Sequence, residues 1–131
     1  VARLRGQLPR PVLPGVITAP YGRVPLAATL EVFRHGVGLA AAPGAVVRVV
    51  APGVVRYSGP VAGLGRGVIV EHERRLLTLY APLGDLSVAV GERLGAGTRL
   101  GRSAAAELYF QLQLGDLPLD PAPWFEARAD K

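Results

Sequence analysis

The sequence predicts an all-β barrel or sandwich of short strands with little helix, and three observations carry that expectation. The 131 residues include 17 glycines and 12 prolines in a background that is 50% hydrophobic, a mix that interrupts helices and favours tight turns. Short apolar stretches recur about every 8–12 residues between Gly and Pro signals, the spacing of small barrels and sandwiches. One stretch, Glu107–Leu114, alternates apolar and polar residues with period two, as a strand with one buried face does.

Taken in order, residues 1–15 read as a lead-in, with Val1 to Leu8 as the end of an upstream helix. Pro9, Pro11 and Pro14 then forbid regular helix or a central strand. Residues 15–19 (GVITA) form a first short strand, stopped at Pro20. The domain proper runs from residue 16 to residue 131. The small apolar stretch 36–42 meets a turn at Pro43-Gly44, and residues 45–50 (AVVRVV) read as a buried β-branched strand. Residues 54–58 make the next strand. Four glycines in 59–67 suggest a mobile loop. Residues 68–71 and 76–80 flank Glu73-Arg74-Arg75 as the arms of a hairpin, and 86–90, 98–100 and 107–114 are further strands. The tail packs Trp124 and Phe125 on the barrel, because burying aromatic rings is worth several kcal/mol.

Composition narrows function by exclusion. The absence of cysteine removes disulfides, thiolate zinc sites and cysteine nucleophiles. A chain of this length buries enough surface to fold without them. No apolar run approaches the ~18–20 residues needed to span a bilayer as a helix. The chain starts at Val1 and has no Met, so it reads as a piece of something longer. The net charge of +5 comes from scattered arginines without interleaved aromatics, a solvated basic surface rather than a nucleic-acid stripe. The only lysine, Lys131, is terminal, which does not suit a carrier domain needing a lysine on an exposed turn.

Catalytic constellations are thin. His35 and His72 are the only histidines and lack metal-site spacing; His72 reads as hydrogen-bonding a turn and His35 as structural or surface. Gly63-Leu64-Gly65-Arg66-Gly67 lacks the strand-to-helix context of a phosphate loop. The informative stretch is 107–114. Leu108, Phe110, Leu112 and Leu114 share the core face, and Glu107, Tyr109, Gln111 and Gln113 form a hydrogen-bonding row such as floors a groove.

That stretch and its surroundings resemble the lysostaphin/LytM-type metallopeptidase family, from about Leu8 to Phe125. The run from Arg34 to Val54 (RHGVGLAAAPGAVVRVVAPGV) is similar to the family's HxGxDIAAPxGTPVxAxAxGxV. GLGRGVIVEH at 63–72, followed by TLYAPL at 78–83, matches its GxGxxVxIxHxxxxxTLYAHL. The turn at 90–101, ELYFQ at 107–111 and DPAPWF at 120–125 follow in the family's order. The resemblance implies a LytM-like duplicated hybrid motif, a barrel-sandwich. It also implies where active members differ: their zinc ligands align with Arg34, Gly38 and Tyr109, and their catalytic histidines with Pro82 and Glu107. Arginine cannot coordinate zinc and glycine has no side chain. The expectation is therefore a degenerate, non-enzymatic domain with no cofactor.

The branch most similar is the EnvC-like murein hydrolase activators, whose LYFEIR and NPxPWL segments resemble 108–113 and 120–125. The resemblance implies an extracytoplasmic module, in the periplasm or cell envelope, that binds and activates a peptidoglycan amidase during wall remodelling and cell separation. Arg34, Gly38, Pro82, Glu107, Tyr109 and Gln111 would line the partner-binding groove. The alternatives are a peptidoglycan-binding module without a protein partner, and a residual zinc endopeptidase.

Overall fold

A computed structural model describes residues 2–127; Val1, Arg128 and Lys131 lie outside the described residues. Thirteen strands are formed among them. They are β1 (Pro14–Ala19), β2 (Gly22–Ala27), β3 (Leu30–Arg34), β4 (Val37–Ala41), β5 (Val46–Arg48), β6 (Gly53–Val61), β7 (Gly65–Glu71), β8 (Leu76–Ala81), β9 (Leu83–Leu86), β10 (Arg93–Leu94), β11 (Arg99–Ser103), β12 (Glu107–Leu114) and β13 (Leu117–Leu119). The helical content described is three short 3-10 turns, at Ala2–Leu4, Glu73–Arg75 and Ala122–Trp124. The first of these stands where a longer helix end is expected; Gly6, with φ at 79°, turns the chain immediately after it.

The main sheet runs β1-β4-β12-β8-β7-β6-β10, with β13 added to the far half of β12. A second sheet, β5-β11-β9, closes over its inner face, and β2-β3 stand apart as a two-stranded ribbon. All paired strands are antiparallel, consistent with connections of a few residues. The core draws on both sheets. Val47 and Leu100 meet Val55, Val70, Leu108 and Phe110 in one cluster. Leu8 and Val12, ahead of β1, are buried in it too, as are Trp124 and Phe125. Phe110 is fully buried with ring centroids 5.3 Å from Tyr80 and 5.5 Å from Phe125.

One polar run crosses this core. His72 Nδ1 lies 2.8 Å from the Pro52 carbonyl, which only accepts, so that nitrogen carries the proton. Burial lowers the His72 pKa below its usual 6.5, and the neutral ring takes Thr78 Oγ1 at 2.8 Å on Nε2. The Tyr80 hydroxyl lies 2.7 Å from Thr78 Oγ1 and accepts the Val50 N–H at 3.2 Å. His72 thus hydrogen-bonds the turn, as its position at the end of VIVEH suggests.

Besides that helix end, the structure differs from the sequence reading at four places. The expected mobile loop at 59–67 is mostly paired, from Gly59↔Gly67 to Val61↔Gly65. Gly67 serves packing, since a Cβ there would sit 2.7 Å from the Tyr80 carbonyl, and Gly63 and Gly65 serve the turn with positive φ. The strand expected at 86–90 is displaced, because β9 ends at Leu86 and the chain crosses toward β6, where Gly91 N–H bonds the Val55 carbonyl at 2.8 Å. Leu114, the last residue of β12, is exposed rather than on the core face. The β2-β3 ribbon, in a stretch with no strand expected, is the fourth.

Candidate functional site

The site is built on the outer face of β12. Its register places Tyr109 opposite Gly38 of β4 on one side and Ala81 of β8 on the other, while Glu107 faces Ala40 and Gln111 faces Leu79. Two glycines accept the large side chains. A Cβ on Gly36 would lie 2.7 Å from Tyr109 Cζ, so the phenol ring crosses that backbone directly. A Cβ on Gly38 would lie 2.5 Å from Glu107 Cδ, so the carboxylate folds over Gly38. Glu107 Oε2 also accepts the Thr18 hydroxyl from β1. At Gly36 a Cβ would also lie 2.6 Å from the Phe110 carbonyl, so glycine is required there for close approach, whereas at Gly38 only the mobile end of Glu107 would have to move.

A directed row of hydrogen bonds runs along the strand. The Tyr109 hydroxyl donates to Gln111 Oε1 at 2.9 Å, Gln111 Nε2 donates to Gln113 Oε1 at 3.0 Å, and Gln113 Nε2 donates to the Gly115 carbonyl at 2.7 Å. All three side chains are half-buried. Burial raises the Tyr109 pKa, with the Arg34 charge opposing and Tyr21 adding to the rise, so the phenol is protonated at neutral pH and can donate.

Arg34 ends β3 beside this row. It is half-buried, and its Nε is sealed from solvent without a hydrogen-bond partner. Tyr21, ahead of β2, packs edge-on against Phe33 with centroids 5.4 Å apart and reaches the Pro118 carbonyl of β13 at 3.3 Å. The ribbon is thereby tied to the rim. Pro82 closes the end of β8, its Cβ 3.1 Å from where a Cβ on Gly65 would stand, and its carbonyl accepts the Ala104 N–H at 3.0 Å.

The structure therefore gathers Arg34, Gly38, Glu107, Tyr109 and Gln111 on one face, with Pro82 following Ala81 at its end. It adds three residues the sequence reading passed over: Thr18, Gly36 and Tyr21. The β-branched and aromatic pair Val32-Phe33 is the signal for β3, and Pro25 suits a ribbon outside the main sheet. No local signal marks Thr18, whose role depends on a residue 89 positions away. The two histidines do not join the face. His35 is exposed against the Phe33 ring, at 5.1 Å, and His72 is committed in the core.

The zinc ion implied by the resemblance does not fit these residues. Arg34 offers no lone pair, Gly38 no side chain, and the protonated Tyr109 hydroxyl donates to Gln111. Glu107 alone remains, and it is engaged with Thr18. Among the described residues, no three of His, Cys, Asp or Glu are placed to hold a metal. A structural or catalytic zinc site takes three or four protein ligands.

The profile of peptidase family M23 matches residues 32–121. DD-carboxypeptidase/endopeptidase Mpg of Neisseria meningitidis is 32% identical over 94 residues, covering 68% of this chain and 22% of that protein. Murein hydrolase activator EnvC of Escherichia coli is 28% identical over 100 residues, covering 72% and 24%. Helicobacter pylori Csd3 superposes with a TM-score of 0.78 at 25% identity, over 95% of this chain and 36% of that one. The chain spans between 21% and 24% of the length of the curated relatives it matches.

Proposed function

The chain belongs to peptidase family M23, and we propose that it is a non-catalytic member that docks a peptidoglycan amidase on the outer face of β12 and switches it on. The observation that carries this reading is the refilled site. Where the family's metallopeptidases hold a metal, Glu107 packs on Gly38 under Thr18 and Tyr109 packs on Gly36. Without a bound ion there is no activated water and no Lewis acid for hydrolysis by the family's route. What is left is a half-buried surface of a Tyr, an Arg and two Gln on rigid strands. Tyr and Arg are the residue types enriched at interface hot spots. The relative named as a murein hydrolase activator supports the same reading.

Activation works through population shift: docking favours the amidase conformation whose catalytic site is open, and the gain equals the difference in affinity for the two conformations. Because murein lies outside the cytoplasmic membrane, so does the domain's site of action. The test is dye release from labelled sacculi by a purified peptidoglycan amidase, with and without this chain. Wild type accelerates release and Tyr109→Ala reduces the acceleration by at least about tenfold while the unfolding midpoint holds. Release by the chain alone, abolished by a chelator, would show an endopeptidase instead. Co-sedimentation with sacculi without any effect on the amidase would show a murein-binding module.

A further inference from the structure

We infer that the groove reads a carboxylate on its partner protein, held by Arg34 beside the Tyr109–Gln111–Gln113 row. This rests on the docking reading above and names the group the partner has to carry. Among the described residues the Arg34 side chain makes no hydrogen bond or ion pair, although its Nε is sealed from solvent. Arg99 shares the sealed Nε but directs its NH2 to Asp85 at 3.1 Å. The sealed Nε is out of a ligand's reach, but the two terminal guanidinium nitrogens are not sealed and have no acceptor among the described residues, so a carboxylate arriving on the groove can pair with them.

The surroundings choose the ligand. The site's own carboxylate, Glu107, is turned away onto Gly38 and Thr18. Each glutamine amide carries two protons and spends one along the row, so Gln111 and Gln113 each keep an N–H for a ligand. The surface therefore offers a surplus of donors around one cation and a neutral phenol. That matches a planar monoanion; a phosphate dianion asks for more positive charge than one arginine supplies. Alternation along β3 puts Arg34 on one face with Leu30 and Val32, which are 56% and 38% exposed. An arginine beside exposed aliphatic side chains fits an acidic residue within an apolar protein surface.

The probe is a pair of end-blocked hexapeptides, one with two glutamates and one with two glutamines at the same positions, titrated by NMR into the isotope-labelled chain. Inorganic phosphate and a murein tripeptide with free carboxylates are run alongside. The glutamate peptide is expected to bind at least about tenfold tighter than its twin and to move the Arg34 Nε–H resonance. Arg34→Gln removes the difference, and Arg34→Lys, which keeps the charge but not the planar fork, recovers only part of it. Unfolding midpoints establish that both variants are folded. Equal affinities, an unmoved Arg34 resonance, or tighter binding of phosphate or murein tripeptide would overturn the inference. The amidase assay separates the two readings. If Arg34→Gln activates like wild type while Tyr109→Ala does not, the carboxylate is refuted and the docking stands. If wild type never activates, the docking is refuted and the peptide pair still decides the carboxylate.

Discussion

Two hydrogen-bonded runs pass through this molecule, and their ends differ. The inner run, Val50–Tyr80–Thr78–His72–Pro52, starts at a backbone N–H and finishes on a backbone carbonyl, and every member but the terminal Pro52 is buried. The outer run, Tyr109–Gln111–Gln113, finishes on the Gly115 carbonyl but begins beside an arginine with nothing to bond. Closed at both ends, a polar run leaves no donor unspent; open at one, it leaves donors uncommitted, as the proposed docking requires. The low dielectric of the core enforces closure, since an orphaned group there costs about 1–3 kcal/mol. At the half-exposed face water covers part of that cost, so an open end is tolerable.

Substitutions on the two faces of the main sheet can break or sharpen this contrast. The largest effect is expected from Phe110→Ala, which empties the space between Tyr80 and Phe125; it should cost about 3–5 kcal/mol in urea unfolding. A loss below about 1 kcal/mol would mean that the inner face of β12 is not a packed core. Tyr80→Phe opens the inner run by removing the hydroxyl that serves Val50 and Thr78, at a cost of about 1–3 kcal/mol by the same measurement.

Gln111→Ala interrupts the outer run and should change stability by no more than about 0.5 kcal/mol while weakening amidase activation. A large stability loss there would erase the distinction between the runs. The smallest effect is a slope. Burial keeps the folded-state pKa of His72 below 6.5, so below about pH 6.5 the unfolded chain binds the proton more readily than the folded one. Stability contributed by the neutral ring is present above that pH and is lost as pH falls toward the folded pKa. Between about pH 7.5 and 5.5 the thermal midpoint should drop further for wild type than for His72→Gln. Equal drops would show that His72 is not the titrating group.

The two ribbons of the fold show how far a sequence can be read. The β12 alternation announces both of its faces, and Leu108, Phe110 and Leu112 are buried as the pattern requires. The β6-β7 hairpin is harder, because its glycines look like loop residues. Gly63 and Gly65 serve the turn with positive φ, while Gly67 is pressed by Tyr80 and Ala81 of β8, a contact between strands that no local pattern encodes. The β2-β3 ribbon is legible only from five residues of β3, with Pro25 arguing against a central strand.

Sequence alone determined the all-β class, the family, the buried side of β12 and the residue types at Arg34, Gly38 and Tyr109, where the resemblance puts the family's metal ligands. Those properties are local or follow from residue chemistry: side chains alternate along a strand, and an arginine has no lone pair to give wherever it lies. Tertiary structure decided what occupies the refilled site. That Glu107 turns onto Gly38 under Thr18 and that Tyr109 crosses Gly36 both depend on the register between β1, β4 and β12. A shift of one residue in that register would send every one of these side chains to the opposite face.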